Sequence, residues 1–363
     1  MKIRLAQTSD DAQLRKLMHK TIMPGHIKIR YAREPNFFEG VKISGEPAQV
    51  IVADNDGEIM AVGCRSINTL YVNAEPQPVG YLSGLRLMEN VQNRTVLVRG
   101  YSYLKRLHND KKTKAYLTTI IQGNDKAIRI LTSKRASLPA YISMGAYLTY
   151  VLPVGSRARN NSSEQGIDII SGEQIPVNEL LTFLNKEGSR RQFFPECSEN
   201  KNSLFKFIGR ENILVARKDG KIKGMFAVWN QKKFKQHIVA GYTPAFKILR
   251  PFLNIGLKLK GCRPLPSKGE KLNSAVISLV CFQADDSHIF SLLLQRALSK
   301  AAENGLHQLI IGLHERDPLC LSMKKFFHTI YRSQLYLVYW EDGISFYNSL
   351  DKNKIPYLEL GIL

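Results

Sequence analysis

Apolar residues change their spacing within one central stretch of the chain, residues 79–107. A mostly apolar run at 79–87 is followed by polar residues at 89–94, and apolar residues then recur every three or four positions from Val96 to Leu107. The first pattern is typical of a buried strand and the second of a helix that packs on one face. The stretch is therefore predicted to form a strand, a tight loop and a helix. Free N–H groups at such a helix start bind phosphate, although an ordinary strand-helix unit gives the same pattern.

Before this stretch, the pattern predicts a strand at 3–6, a helix beginning at 8–11, and a second helical region that ends near Gly40. The buried face of the first helix would carry Leu14, Leu17, Met18 and Ile22. Two β-branched runs follow, and Asp56-Gly57 lies between them. Asp-Gly in this position predicts a β-hairpin, because glycine adopts a positive φ angle without steric cost.

The hairpin signature occurs twice. Residues 52–59 (VADNDGEI) match residues 215–222 (VARKDGKI), and each copy is followed by an apolar strand. After the second copy, the pattern again predicts a strand at 275–282, a helix at 288–303 and a strand at 309–313, as it does around 79–121. The chain is therefore predicted to contain two copies of one α/β domain, at 1–155 and 166–363, joined by a polar linker at 156–165.

The composition sets limits on the partners. The chain has 363 residues, is 44% hydrophobic and carries a formal charge of +21. Lysine and arginine exceed acidic residues in both halves, by 22 to 12 up to Gly155 and by 30 to 19 after it. An even excess favours polyanions such as nucleotide phosphates, tRNA or an anionic surface. The five cysteines are scattered and show no metal-ligand spacing, so no metal site is predicted. The scattered cysteines, and the lack of a signal or membrane-spanning segment, predict a cytoplasmic protein.

The order β-α-α-β-β-β-loop-α-β-α-β resembles the GNAT superfamily of acyl-CoA-dependent N-acyltransferases. The resemblance implies α/β (α+β) architecture, with two tandem GNAT-like domains that each have a mixed, largely antiparallel sheet flanked by helices. In that family a Q/R-x-x-G-x-G/A loop presents backbone N–H groups to the CoA pyrophosphate. That place is taken here by Gln92, Asn93, Arg94, Thr95, Val96 and Leu97. Thr95 and Leu97 replace small residues, which would displace the backbone slightly from the phosphates.

Further site residues follow from the same resemblance. Backbone N–H groups around Leu87 and Met88 would polarise the thioester carbonyl, and Glu89 would act as the base unless it is a solvated turn residue. Asn124 opens an N-x-x-A motif that in relatives lies near the cofactor, although an ordinary helix N-cap explains it equally well. Relatives often have a tyrosine as general acid where this chain has Leu131. The sequence does not choose between the nearby Tyr141 and Tyr147 as substitutes.

The corresponding loop of the second copy has lost these features. Residues 281–288 contain no glycine, and Asp285 and Asp286 would repel a pyrophosphate. These two residues and Ser287 are expected to cap the next helix. The second copy is therefore expected not to bind CoA in the usual way. Residues 314–317 (HERD) bring several polar groups together after a strand. A catalytic or substrate-contact role is possible for them, but a structural loop with Asp317-Pro318 opening the next helix is favoured, and His108 suits the end of its helix.

Residues 243–271 are an insertion relative to the first copy. Lys247, Arg250, Asn254 and Lys258 lie at helical spacing and form one polar stripe, and apolar residues occupy the rest of the helix. Such a helix is expected to pack its apolar face on the protein and expose the stripe. An anionic membrane or an acidic partner is the alternative.

The resemblance implies an acyl-CoA-dependent N-acyltransferase, an N-acetyltransferase with acetyl-CoA as the expected donor, acting on an unidentified amine. The positive charge favours a neutral or acidic acceptor. Two other functions stay open: an aminoacyl-tRNA-dependent transferase of similar fold, and a non-catalytic binding module. The oligomeric state is not predicted.

Overall fold

The structure is a computed structural model that describes residues 1–23, 25–88, 94–133, 138–155, 166–200, 203–259 and 261–363, with the side chains of Met23 and Arg94 left out. The strands are β1 (Lys2–Leu5), β2 (Ile22–Met23), β3 (Ile27–Ala32), β4 (Ala48–Asn55), β5 (Glu58–Val72), β6 (Glu75–Leu87), β7 (Tyr116–Ile121), β8 (Ala140–Pro153), β9 (Ile167–Ser171), β10 (Ile213–Lys218), β11 (Lys221–Trp229), β12 (Gln236–Tyr242), β13 (Ser274–Phe282), β14 (Gln308–His314) and β15 (Thr329–Tyr339). The helices are α1 (Asp11–Lys20), α2 (Glu39–Lys42), α3 (Arg94–His108), α4 (Asp125–Leu131), α5 (Val177–Gly188), α6 (Leu204–Ile208), α7 (Pro244–Leu259), α8 (Ser287–Glu303), α9 (Leu319–Met323) and α10 (Ile344–Ser349).

Both predicted hairpins form with the same turn. Asp56 and Gly57 have φ angles of 52° and 91°, and Asp219 and Gly220 have φ angles of 52° and 71°. Two successive positive φ angles match the right-handed twist of the paired strands, which explains why Asp-Gly recurs at both places. The turns join β4 to β5 and β10 to β11, so the repeat predicted from the sequence is confirmed.

The two halves build one continuous sheet in the described part of the chain. Its order is β1-β4-β5-β6-β7-β15-β8-β14-β13-β11-β10-β9. Each half places one strand inside the other: β15 lies between β7 and β8, and β8 lies between β15 and β14. Most pairs are antiparallel, and helices cover both faces. The predicted α/β class with two similar halves, each a mixed and largely antiparallel sheet flanked by helices, is confirmed, and the structure adds that the halves share their sheet.

Helices divide the first half of the sheet into two sides. On one side, Leu14, Leu17 and Met18 of α1 pack with Phe37 against β4 and β5. On the other side, Tyr101 and Leu104 of α3 pack with residues of β6, β7 and β15. The core of the second half is continuous with the first, because strands of both halves contribute to one cluster. The sheet thus presents an α1 side and an α3 side along β6 and β7.

One predicted helix is wrong. The second helical region ending near Gly40 is mostly the strand β3, and only the short α2 is helical there. Ile22, expected on the buried face of α1, lies in β2 and is 42% exposed. The cause is a long-range pairing, because β3 joins β12 of the second half in a separate three-stranded sheet. The linker at 156–165 lies outside the described residues, so the domain boundaries stay a prediction.

Candidate active site

A gap opens in the sheet between β6 and β7. The two strands pair in parallel only at Gly80–Tyr116 and Tyr81–Leu117. Gly80 is required at this point, since a Cβ there would lie 2.0 Å from the Tyr116 ring. Beyond it, the Thr118 hydroxyl donates to the Leu82 carbonyl at 2.8 Å, in place of a backbone bond. The strands then diverge, because β6 continues along β5 and β7 continues along β15. We refer to this opening as the first gap.

The strand beside the first gap contains a bulge. The register between β5 and β6 passes from Cys64–Ser83 to Val62–Arg86 and skips Gly84 and Leu85. Gly84 has a φ angle of 66°, a conformation that glycine adopts at little cost. On β5, the single residue Gly63 lies opposite Gly84 and Leu85, so two residues of β6 oppose one of β5.

The second half has an equivalent gap. There β13 and β14 pair in parallel from Ser274–Gln308 to Ile277–Ile311 and then diverge. The register between β11 and β13 skips Leu279 and Val280, and Leu279 has a φ angle of 53°. Aligning the two registers makes Leu279 equivalent to Gly84 and Val280 equivalent to Leu85. We refer to this opening as the second gap.

Residues 357–363 fill the second gap. The N–H group of Leu279 donates to Glu359 Oε2 at 2.9 Å, and the N–H group of Val280 donates to the Tyr357 hydroxyl at 3.2 Å. The Tyr357 hydroxyl donates in turn to Glu359 at 2.8 Å, as does the Gly361 N–H group. Glu359 is only 3% exposed. Burial raises its pKa, and the hydrogen bonds that it accepts act in the opposite direction.

A group of positive charges lies on the α1 side, near the first gap. The Arg33 guanidinium and the Lys235 ammonium lie 5.6 Å and 5.7 Å from the centre of the Tyr31 ring. Burial raises the pKa of Tyr31, but the positive charges of Lys235, Arg33 and Arg86 outweigh it and leave the pKa lowered. Arg33 is 6% exposed, and its Nε and Nη1 have no hydrogen-bond partner among the described residues. We call Arg33, Arg86 and Lys235 the cationic cluster.

The cationic cluster disfavours further positive charge. Burial lowers the pKa of Lys235. Burial and the charge of Lys235 together lower the pKa of the neighbouring His237 to about 3. The cluster adjoins a cavity of about 210 Å³ whose lining includes Lys232, Lys235 and Lys271. The side chain of Cys64 links the cluster to the bulge, because its thiol is 3.4 Å from where a Cβ on Gly84 would lie, and Arg33 and Arg86 both act on its pKa.

The structure places only part of the predicted cofactor set. Leu87 ends β6 and packs with Val96 of α3, and the Met88 N–H group donates to the Met60 carbonyl at 2.9 Å. Thr95 is exposed, whereas Val96 is buried and Leu97 packs against the α3-side cluster. Glu89, Gln92 and Asn93 lie outside the described residues, as does the side chain of Arg94, which is the first residue of α3. The helix therefore begins where predicted, at the end of the strand that borders the first gap.

The remaining candidates are engaged in local contacts. Asn124 caps α4 by accepting from the Ala127 N–H group at 3.2 Å. Leu131 is a core residue. Tyr147 donates to the Leu358 carbonyl at 2.9 Å in the second half, and Tyr141 shares a hydrogen bond with Tyr101 on the α3 side. Of the two tyrosines considered as general acids, Tyr141 is thus the one on the α3 side, where it packs against the cluster that contains Leu82 of β6 and Ile120 of β7.

Residues of the polar loop after β14 are held by local contacts. The buried His314 donates from Nε2 to the Met144 carbonyl at 2.8 Å and accepts at Nδ1 from the Arg316 N–H group. Asp317 pairs with Arg191 and accepts from the Leu319 N–H group at the start of α9. His108 ends α3 and contacts the Tyr116 hydroxyl. The described residues contain no group of histidine, cysteine or acidic side chains that could hold a metal ion.

Of the three predicted caps in the loop of the second copy, one is confirmed, and Ser287 is instead the first residue of α8. Asp286 caps α8 by accepting from the N–H groups of His288 and Ile289. Asp285 is not a cap and instead pairs with Arg191 at 2.7 Å. Sequence reasoning missed Glu359 and Tyr357, because nothing in their local pattern indicates that they enter a sheet 80 residues earlier in the chain. The signal in the sequence that could have indicated the second bulge was the internal repeat. When the alignment of the two copies is extended beyond the hairpin, past the insertion at 243–271, Gly84 aligns with Leu279.

The structure also bears on membrane insertion. Among the helices in the described ranges, none has the length and apolar character needed to cross a bilayer.

Comparison with known proteins identifies the fold. No family model and no curated protein matches the sequence. Solved structures do: N-myristoyltransferase from Saccharomyces cerevisiae with bound myristoyl-CoA matches with a TM-score of 0.60 at 11% identity, over 93% of this chain and 78% of that chain. A GCN5-related N-acetyltransferase from Sphaerobacter thermophilus matches with a TM-score of 0.53 at 12% identity, over 93% and 94%. At these identities the likeness shows the fold, which spans both halves.

Proposed function

We propose that this chain, which has the fold of the GNAT superfamily, is an acyl-CoA-dependent N-acyltransferase that binds one acyl-CoA in the first gap. The observation that carries the proposal is the difference between the two gaps. In the second gap, a carboxylate and a hydroxyl occupy the bulge N–H groups. In the first gap, no side chain of the described residues accepts from the equivalent N–H groups of Gly84 and Leu85, and these groups would receive an oxygen atom of the ligand. A thioester carbonyl is such an oxygen, and both similar structures belong to N-acyltransferases.

The chemistry is direct transfer. The acceptor amine attacks the thioester carbonyl carbon, the C–S bond breaks, and an amide and the CoA thiolate form. Negative charge develops on the carbonyl oxygen in the transition state, and the N–H groups of Gly84 and Leu85 would stabilise it there. This assignment moves the oxygen-binding groups from the neighbourhood of Leu87, where the sequence suggested them, to the bulge.

The cationic cluster would help the acceptor to react. An amine must be neutral to attack, and nearby positive charges favour its neutral form. Burial is the main cause of the lowered pKa values of Lys235 and His237, and the charge of Arg33 on Lys235 and of Lys235 on His237 acts in the same direction. An acceptor amine bound on the α1 side would therefore lose its proton more readily. A general base such as Glu89 would then be less necessary for the reaction. The same charges favour an acceptor that is neutral or carries an acidic group.

A proton donor for the departing thiolate is available on the α3 side. Burial raises the pKa of Tyr101 to about 12, so its hydroxyl, which is hydrogen-bonded to the Tyr141 hydroxyl, stays protonated at neutral pH. Tyr101 belongs to the same packed cluster as Leu82 and Ile120, on either side of the first gap. We assign the general-acid role to this tyrosine pair. The phosphates would lie at the start of α3, where the backbone N–H groups of a helix attract anions.

Binding is tested first, by calorimetric titration with CoA, acetyl-CoA and longer acyl-CoAs. Thr118→Tyr places a ring at the apex of the first gap and should weaken binding by roughly tenfold or more, because it excludes the pantetheine arm. Thr118→Ser, which keeps the hydroxyl that donates to the Leu82 carbonyl, is the matched control and should bind normally. Arg94→Glu at the helix start should weaken binding through repulsion of the phosphates. Absence of heat with every acyl-CoA in the wild type would reject the proposal. Binding of tRNA in its place, falling steeply with salt, would favour the aminoacyl-tRNA alternative.

Turnover is tested by release of the free CoA thiol in the presence of a panel of amines. Leu85→Pro removes one bulge N–H group and should lower kcat by roughly a hundredfold with little change in CoA affinity. Leu85→Ala keeps the N–H group and should stay close to wild type. Equal rates in the two variants, at equal thermal stability, would exclude the bulge as the oxygen-binding site.

A further inference from the structure

Helix α7 exposes an apolar face. Ile248, Phe252, Ile255 and Leu259 are 75%, 68%, 59% and 70% exposed, respectively. Their spacing of four, three and four residues places them in one line along the helix, which is about 24 Å long. Single exposed apolar residues are common on protein surfaces, but a contiguous row of this length marks an interaction surface.

The orientation is opposite to the one predicted from the sequence, and specific contacts hold it. The Arg250 guanidinium donates to the Leu265 carbonyl at 2.9 Å and lies over the Tyr242 ring. Asn254 accepts from the Leu265 N–H group at 2.8 Å. Phe246 stacks between His26 and Tyr242. Arg250 and Asn254, half of the expected polar stripe, therefore face the protein. These contacts turn the apolar face outward.

The charges around this face have one sign. Every exposed residue of α7 is apolar or glycine, apart from Lys247 and Lys258. These two lysines lie 11 residues apart, which puts both on the same flank of the apolar row. The helix contains no acidic residue, and the whole chain carries a charge of +21. An apolar row flanked by lysines is the pattern of a helix that lies in the interface of an anionic bilayer.

We propose that the exposed face of α7, formed by Ile248, Phe252, Ile255 and Leu259 and flanked by Lys247 and Lys258, docks the protein on membranes that contain anionic lipids. The apolar side chains enter the boundary between headgroups and acyl chains, and the lysines contact the anionic headgroups. This attachment is peripheral, because the helix lies in the plane of the surface. It is independent of the acyltransferase proposal, since α7 takes no part in either gap.

Co-sedimentation with vesicles tests the proposal on the full chain. The wild type is expected to pellet with vesicles of phosphatidylcholine and phosphatidylserine, and much less with phosphatidylcholine alone. The Phe252→Glu, Ile255→Glu double variant should lower the partition coefficient by roughly tenfold or more. Leu321→Glu, a change at a similarly exposed leucine in α9, is the matched control and should bind like the wild type. Lys247→Glu with Lys258→Glu should remove the preference for the anionic lipid.

Three results would overturn the proposal. One is a wild type that does not bind anionic vesicles, and another is a double variant that binds as well as the wild type. The third is a wild type that self-associates in size-exclusion chromatography and becomes monomeric in the double variant without vesicle binding, which would assign the face to a second copy of the chain. The double variant should unfold at the same temperature as the wild type, because both side chains are exposed, so misfolding would not imitate the expected result.

Discussion

Replacing Glu359 by alanine should lower the free energy of unfolding more than the same replacement at a buried glutamate that accepts fewer hydrogen bonds. Glu359 accepts from the N–H groups of Leu279 and Gly361 and from the Tyr357 hydroxyl, within the sheet of the second half. Alanine removes both acceptor oxygens and leaves these three donors inside the second gap.

The magnitude follows from the number of donors. A buried donor left without an acceptor costs about 1 to 3 kcal/mol, so three donors could cost about 3 to 9 kcal/mol. Water entering the vacated space would satisfy some of them, and burial of a carboxylate is itself unfavourable, so the lower half of this range is expected. We therefore predict that the free energy of unfolding falls by about 3 to 5 kcal/mol.

Urea denaturation followed by circular dichroism measures the effect. Tyr357→Phe removes the hydroxyl that accepts from the Val280 N–H group and donates to Glu359, and it should cost about 1 to 3 kcal/mol, less than the loss of the central acceptor. A loss below about 1 kcal/mol in Glu359→Ala would refute the reasoning, because the donors would then not depend on this carboxylate.

The pH dependence of the stability gives a second check. Burial raises the folded-state pKa of Glu359 above its usual value near 4.5, so its contribution is most favourable at low pH and is lost as pH rises through the folded-state pKa. Glu359→Gln should flatten this part of the stability profile.

Three further predictions concern other parts of the molecule. The pKa of His237 is lowered to about 3, so stability should be lost as pH falls below about 6.5, by at most about 1.4 kcal/mol per pH unit, and His237→Asn should remove this dependence in acid denaturation. Calorimetry should find one CoA per chain, and a second site of similar affinity would contradict the filling of the second gap. Arg65 is fully buried and donates to Asp110, Gln49 and Tyr116, so Arg65→Ala should cost about 3 to 5 kcal/mol in urea denaturation, whereas a cost below 1 kcal/mol would show that the buried guanidinium is not needed.

Elements with local signals could be predicted from the sequence. The Asp-Gly turns require positive φ angles that few residue pairs supply, so both hairpins were recognisable. Helices α3 and α8 show a clear apolar periodicity and are close to their predicted bounds. The strands on either side of the two gaps were found for the same reason. The repeat then placed these elements in one fold.

Elements set by distant partners could not be predicted. The sequence at β3 predicts a helix, because it gives no sign of the pairing with β12, about 200 residues away. The outward apolar face of α7 depends on where Arg250 and Asn254 find acceptors and donors in the loop after the helix, which the helical pattern itself does not contain. In the candidate site, the strand before the loop and the start of α3 were recognisable. The bulge and its filled counterpart were not, since they depend on register and on the return of residues 357–363.

The exchange of strands explains why a second half without an open gap is retained. The strand β7 forms one wall of the first gap, yet it pairs with β6 at only two positions. Its long pairing, over six positions, is with β15 of the second half. The position of this wall, and hence the width of the first gap, is therefore fixed by the second half. Residues that follow β15 in the chain fill the second gap and tie that half together through Glu359. The second half, whose own gap is filled, is therefore required in this arrangement, because it positions one wall of the first gap.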